Sequence, residues 1–166
     1  MSYFAAALAR TPGGWSSEEV DLDEVADLEA LAEEIRELAG DDGGPALLLL
    51  EEDDEYVAVV RVDGGPGSLD EPRVFLSDRR AVQASAVAAM LWEDAPLAES
   101  GDDGEDEGTR AVAEPVGDTG LLADLGTPAD DLLELCAEEG LLPADVLTAV
   151  CERAGCLDAL EAVREG

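Results

Sequence analysis

The amino-acid sequence predicts an α+β fold: an antiparallel sheet of four or five strands with two helices on one face, plus a C-terminal helical segment. Three observations predict it. Short apolar or β-branched runs, bounded by Gly, Pro and acidic turns, occupy the first half of the chain. Two amphipathic stretches with helical spacing of their apolar residues lie among these runs. Beyond an acidic stretch in the middle of the chain, only helical patterns follow.

The strands are predicted from runs of residues that fit a pleated, buried surface. Residues Tyr3 to Arg10 form the first, and Trp15 to Leu22 a second whose Ser and Glu residues are weak strand formers. The wholly apolar run Ala46 to Leu50 indicates a strand buried on both faces, which we expect at the centre of the sheet. Tyr56 to Val62 should pair antiparallel with it, and Arg73 to Leu76 should extend the meander.

Two helices are predicted beside these strands. Apolar residues recur at three- and four-residue steps from Val25 to Ala39, and Gly40 ends the pattern. Asp78 is a candidate N-cap for a second helix from about Arg79 to Trp92.

The acidic stretch suggests a domain boundary. We predict an α+β domain over residues 1–93, an acidic flexible linker over 94–119 and a small helical segment over 120–166. Residues 101–108 contain no apolar side chain and repel one another, which is typical of a linker. Whether the helical segment packs on the sheet is left open by the sequence.

The helical segment begins with a capping signal. Thr127 is predicted as the N-cap and Pro128 as the first helical residue of its first helix. Pro143 opens a second helix, and apolar residues from Leu157 to Val163 mark a short third one.

Charge is the dominant feature of the composition. The chain has 42 Asp and Glu against 9 basic residues, all of them Arg, and a formal net charge of −33. Such a field repels phosphate backbones and anionic lipid surfaces, so we expect no direct binding to nucleic acid or membranes. It favours a basic protein as the partner.

The sequence also predicts the compartment. No apolar run approaches the roughly 18 residues of a membrane-spanning helix, and no signal-peptide pattern is recognisable. The three cysteines are an odd number and do not form the framework of a disulfide-rich secreted domain. We therefore expect a cytoplasmic protein.

Residues that commonly carry catalysis are scarce. The chain has no His, which removes the commonest general base and metal nitrogen, and no Lys for a phosphate-binding loop. The separations of Cys136, Cys151 and Cys156 match no zinc motif. We read the first two as small core residues and the third as the most exposed thiol. The acidic run Glu51 to Glu55 is better explained as a solvated hairpin turn than as a cation site. We expect no enzyme, no metal and no cofactor.

A few large or basic side chains stand out from this background. Trp and Arg are enriched at the centres of protein interfaces. In the alternative interpretation, the arginines pair with neighbouring carboxylates and the tryptophans cover the core. The candidate interface residues are Trp15, Arg73, Arg79, Arg80 and Trp92.

Six stretches along nearly the whole chain are distinctive as strings: Met1–Ala6, Leu47–Tyr56, Val59–Asp63, Arg73–Asp78, Leu125–Gly140 and Pro143–Asp145. These stretches resemble the bacterial tRNA adenosine deaminase-associated protein family. The resemblance implies an association with the zinc deaminase that converts adenosine to inosine in tRNA, and no assigned activity. That deaminase needs an H-x-E and P-C-x-x-C zinc site, which a chain without His cannot build.

The leading hypothesis is therefore a non-catalytic acidic accessory or binding protein, a partner or regulator of a tRNA adenosine deaminase or another basic protein. The alternative is a self-associating structural or scaffold domain with no basic partner. An enzyme that uses carboxylates alone would need paired acids in a cleft, and the sequence places no such pair. The identity of the partner and the oligomeric state stay open.

Overall fold

The computed structural model describes residues 3–25, 27–40, 44–52, 56–63, 72–78, 86–93, 115–138 and 142–165. The strands are β1 (Tyr3–Thr11), β2 (Gly14–Glu19), β3 (Ala46–Glu52), β4 (Tyr56–Val62), β5 (Arg73–Leu76) and β6 (Val116–Gly117). The helices are α1 (Leu28–Ala39), α2 (Ala86–Glu93), α3 (Ala129–Ala137), α4 (Pro143–Ala154) and α5 (Leu157–Glu165). Short 3₁₀ turns cover Leu22–Glu24 and Ala123–Leu125. In these ranges no helix is both long and apolar enough to cross a membrane.

The strands form one sheet in the order β2-β1-β3-β4-β5-β6, and every neighbouring pair is antiparallel. The predicted α+β fold is confirmed, with β3 at the centre. The two-residue β6, which lies inside the segment predicted as a linker, adds a strand beyond the four or five expected. Gly117 has φ 103° there, and a Cβ atom at this position would overlap the Val74 carbonyl oxygen. Only glycine fits so close to β5.

The sheet separates two apolar cores, because successive side chains of a strand point to opposite faces. On β3, Leu48 and Leu50 point into one core, and Leu47 and Leu49 point into the other. All four are fully buried. The prediction that this strand is buried on both faces is thus confirmed, and it explains why its sequence is continuously apolar rather than alternating.

Helices α1 and α2 cover the first face, which we call the α1 face. Asp27 caps α1 by accepting a hydrogen bond from the Ala30 N–H at 2.9 Å, and Gly40 ends it with φ 76°. The predicted pair of helices on one face is confirmed, although α1 begins at Leu28 rather than Val25. The core of this face includes Leu28, Leu31, Ala32, Ile35 and Ala39 of α1, Ala88 and Leu91 of α2, and Ala5, Ala7, Ala9, Val60, Val62 and Leu76 of the sheet.

Helices α3 to α5 and the turn before them cover the opposite face, which we call the C-terminal face. They share a buried core with the sheet, so the helical segment packs directly on the strands. Its members include Leu121, Leu125, Leu132, Leu147, Val150 and Leu160 of that segment, and Ala6, Leu8, Leu47, Leu49, Val59 and Phe75 of the sheet. The domain boundaries at residues 93 and 119 stay predictions.

The second strand and the first C-terminal helix differ from their predicted bounds. The second strand ends at Glu19, because Asp21 accepts a hydrogen bond from the Asp23 N–H at 3.0 Å and caps a 3₁₀ turn. Pro128, not Thr127, is the N-cap of α3. The predicted start of the second helix, residues 79–85, lies outside the described part of the chain.

Candidate functional site

Trp15 lies on β2, at the edge of the sheet, directly opposite Arg10 of β1. The Arg10 guanidinium lies 6.0 Å from the centroid of the indole ring, within the range of a cation–π contact. One side of the tryptophan packs against the core of the C-terminal face, and the side chain is only half-buried. Trp15 therefore combines core packing with an accessible surface at the sheet edge.

Arg73, at the start of β5, belongs to a group of paired charges. Its guanidinium lies 3.3 Å from the carboxylate of Asp118 and 3.8 Å from that of Asp63. Its side chain is 41% exposed, so these ion pairs are largely screened by solvent and contribute little to stability. The arginine has neighbouring carboxylates, as the alternative interpretation of the sequence requires.

Arg61 of β4 is the centre of this group. Its side chain is only 6% exposed and points to the C-terminal face. The guanidinium donates to both oxygens of Asp124, at 2.6 and 3.0 Å, to the Leu121 carbonyl oxygen at 2.6 Å and to Oδ1 of Asp63 at 3.1 Å. Two of these partners belong to the C-terminal segment. Arg61 thus connects that segment to the sheet through charge-assisted hydrogen bonds.

The same contacts affect the protonation of Asp124. The hydrogen bonds from Arg61 hold the pKa of the Asp124 carboxyl below its ordinary value of 3.8. In turn, its hydrogen bonds to Asp124 raise the pKa of Arg61. Sequence reasoning missed Arg61, although a single charge inside the apolar run Tyr56–Val62 was a usable signal.

The five predicted interface residues do not form one cluster in the described structure. Trp15 lies on β2 and Arg73 on β5, with three strands between them. Four strand spacings correspond to about 19 Å. Arg79 and Arg80 lie outside the described residues, and Trp92 belongs to α2 with its side chain undescribed. A role for these residues in an interface stays a prediction.

The cysteines are placed to pack rather than to react. Cys151 and Cys156 are buried on the C-terminal face, and Cys136 is partly buried against the same core. The prediction that Cys156 is the most exposed thiol is wrong: its backbone N–H donates to the Cys151 carbonyl at 2.9 Å and holds it at the start of α5. Burial raises the pKa of Cys136 to about 11. The Cys156 thiol and burial raise the pKa of Cys151.

An open groove lies between the edge strand and the last helix. Ser17, Glu18 and Glu19 of β2 line one side, and Ala162 and Val163 of α5 line the other. Its volume is about 220 Å³. Glu18 and Glu19 are exposed, so the groove has an acidic rim beside an apolar wall. Such a surface can receive an extended segment with basic side chains.

Comparison with known proteins identifies the family of this chain. Residues 3–157 match the model of the family described as Rv3753c-like tRNA adenosine deaminase-associated protein. The chain belongs to this family. It is also similar to Protein Rv3753c of Mycobacterium tuberculosis (strain ATCC 25618 / H37Rv), with 30% identity over 162 residues that cover 96% of this chain and 86% of the relative. No solved structure matches the chain.

The deaminase-associated family match spans the elements on both faces of the sheet. It begins with β1 and extends to Leu157, the first residue of α5. It therefore includes Trp15, Arg61 and the ionic group around Arg61. The description names members as associated with a deaminase rather than as the deaminase itself. In the described residues, no group of three or more Cys, Asp and Glu is arranged to hold a metal ion.

Proposed function

We propose that this chain is a non-catalytic, acidic accessory protein that binds a tRNA adenosine deaminase in the cytoplasm, as its partner or regulator. The observation that carries the proposal is the net charge of −33 without a single Lys, in a member of a family named for its association with that enzyme.

The charge explains how the two proteins recognise one another. An enzyme that grips tRNA presents Lys and Arg to the phosphate backbone. Carboxylates on this chain can pair with the same basic surface, either occupying it or accelerating encounter by electrostatic steering. Binding of this kind weakens as salt screens the charges.

The residue inventory supports a role without catalysis. Adenosine deamination in tRNA requires zinc held by His and Cys, together with a catalytic Glu. The chain has no His, and two of its three thiols are fully buried. The arginines at the centre of the ionic group bind carboxylates of the same chain, which is a structural task.

The test is co-purification of the chain with the tRNA adenosine deaminase of the same organism at low and high salt. We expect a complex at low salt that dissociates as salt increases, and that competes with added tRNA. A basic protein that binds no RNA, matched to the deaminase in net charge, is the control. Absence of a complex at low salt overturns the proposal. A stable homo-oligomer without affinity for either protein would instead favour the structural-domain alternative.

A further inference from the structure

The edge strand β2 carries backbone groups that are directed away from the sheet. The Val20 N–H donates to the Ala5 carbonyl at 3.0 Å, and Ala6 is opposite Glu19 in the register. In an antiparallel pair, hydrogen-bonded and non-hydrogen-bonded positions alternate. The N–H and C=O groups of Ser16 and Glu18 therefore face β1.

The intervening residues Trp15, Ser17 and Glu19 face the other way. Each offers one backbone donor and one acceptor along the outer side of β2. Within the described ranges, no other backbone group bonds to these outward groups, and β1 is the only strand that pairs with β2. This edge has the hydrogen-bonding pattern that accepts an added strand.

The side chains at this edge select for positive charge. Glu18 and Glu19 are exposed, and exposed Asp21 follows. On α5, exposed Glu161 and Glu165 flank the groove residues Ala162 and Val163. Cationic side chains of an added strand could reach these carboxylates, and its apolar side chains could contact Val163 and the half-buried Trp15.

The same charges disfavour a second copy of this chain as the occupant. Edge-to-edge pairing of two copies would bring Glu18 and Glu19 of both into one short ribbon, between molecules that each carry a net charge of −33. Charged edge residues are a recognised device against such self-pairing. A basic strand removes the repulsion and gains ion pairs.

We propose that β2 binds an extended, Arg- or Lys-rich segment of a partner protein, which adds as a strand beside Trp15, Ser17 and Glu19 and directs every second side chain to the groove along α5. The inference rests on the proposed function in one respect, namely that the partner is basic.

The experiment uses the full chain and two labelled peptides of about 8 and about 10 residues, both long enough to span β2. One alternates Arg and Val, and the other contains the same number of Arg residues in Arg-Pro-Pro repeats, which adopt polyproline II and cannot pair as a strand. We expect only the first peptide to bind with a measurable affinity. Amide exchange should slow at Trp15, Ser17 and Glu19, whereas the amides of Ser16 and Glu18 are already protected by β1.

Two pairs of variants test the backbone and the charge separately. Ser17→Pro removes an outward N–H and leaves the bonds to β1 intact, because proline is tolerated at edge positions of this kind. It should weaken peptide binding by at least about tenfold, whereas Ser17→Ala, which keeps the N–H, should not. The Glu18→Gln/Glu19→Gln variant should weaken binding and its salt dependence, whereas Glu34→Gln/Glu37→Gln, with the same change of charge on α1, should not.

Several outcomes overturn strand addition. These are equal binding of both peptides, no binding of the Arg-Val peptide, or binding without protection of the three outward amides. A concentration-dependent dimer that Ser17→Pro abolishes would assign the edge to a second copy. If Ser17→Pro unfolds the chain, the amide-exchange pattern and the Gln variants still test whether the peptide adds as a strand to β2. If the Ser17→Pro variant binds the deaminase with wild-type affinity, the proposal that β2 is the binding edge is overturned, whereas the proposed function stands. If the chain binds the Arg-Val peptide but not the deaminase, strand addition at β2 stands and the proposed function is overturned.

Discussion

On the α1 face, the sheet is covered by helices that lie next to its strands in the sequence, whereas the C-terminal face is covered by a segment that begins beyond residue 115. Helix α1 connects β2 to β3, and α2 follows β5. The contacts of the α1 face are therefore mostly local, and those of the C-terminal face join distant parts of the chain. Local contacts close small loops and form at a lower entropic cost.

The two faces also differ in chemistry. On the α1 face, buried polar groups have partners close in the sequence: the Tyr56 hydroxyl donates to Glu52 at 2.8 Å, and Arg36 pairs with Glu33 at 3.3 Å. The C-terminal face combines an apolar core with the buried guanidinium of Arg61, two buried thiols and the buried hydroxyl of Thr127. Polar groups in a core contribute little net stability, but removal of one partner is expensive. We infer that the loss of a polar partner on the C-terminal face weakens contacts between distant parts of the chain, whereas on the α1 face it acts on local contacts.

The largest expected effect tests whether both faces belong to one folding unit. Leu48 and Leu49 are neighbours on β3, both fully buried, and they point to opposite faces. We expect Leu48→Ala and Leu49→Ala each to lower the free energy of unfolding by about 2–5 kcal/mol in urea denaturation, with a single transition. Leu142→Ala is the control, since Leu142 is 50% exposed and should change it by less than about 0.5 kcal/mol. A small effect at Leu49 alone would mean that the C-terminal helices do not pack on the sheet in solution.

The next effect should appear on one face only. Asp124→Asn removes a charged partner of Arg61 and leaves the buried guanidinium with fewer acceptors. We expect a loss of about 1–2 kcal/mol, because the Asp124 side chain is 64% exposed and solvent reduces the value of the pair. Amide exchange should accelerate around residues 121–125 and remain unchanged in α1. Glu152→Gln, an equal change of charge at an exposed position of α4, is the control. Uniform acceleration in both regions would contradict the assignment of Arg61 to the C-terminal face.

Low pH should reduce the stabilisation that the Arg61–Asp124 contact gives to the folded state. The pKa of Asp124 is lower in the folded state than its ordinary value of 3.8, so its stabilisation is complete above that ordinary value and is lost as the pH falls through the folded pKa. Lower pH also relieves the general repulsion between carboxylates, so total stability is a poor measure. The difference in unfolding free energy between the wild type and Asp124→Asn isolates this group. We expect the difference to be largest near pH 6 and smaller at pH 3, and a constant difference would rule out the linkage.

The parts of the fold that the sequence predicted carry their signal locally. Strand β3 is a continuous apolar run, β4 is β-branched, and α1 has helical apolar spacing that ends at Gly40. Each of these patterns indicates which face of the element is buried. The short turns between successive strands predict that the strands pair as an antiparallel meander.

The parts that the sequence did not predict depend on distant partners. Arg61 meets Asp124 across 63 positions, and no local spacing reports such a pair. The two residues of β6 are too few to form a recognisable strand pattern. Cys156 was predicted to be exposed because it follows Gly155, but it is buried in the core of the C-terminal face. The free backbone groups along the outer side of β2 were likewise not predicted, because strand order and hydrogen-bond direction become known only from the assembled sheet.

The smallest expected effect is an increase, rather than a decrease, in the free energy of unfolding. Thr127 is fully buried before α3, and its Oγ1 has no hydrogen-bond partner in the described structure. A buried hydroxyl without a partner loses its bonds to water and gains nothing in exchange. Thr127→Val keeps the shape of the side chain and removes that cost, so it should raise the free energy of unfolding by up to about 1 kcal/mol. Thr148→Val is the matched control: the Thr148 hydroxyl donates to the Ala144 carbonyl at 3.0 Å and accepts from Arg164 at 2.9 Å, so its loss should destabilise the chain slightly. A destabilising Thr127→Val would reveal a partner for the hydroxyl, such as an ordered water, and would extend the polar contacts of the C-terminal face beyond the group around Arg61.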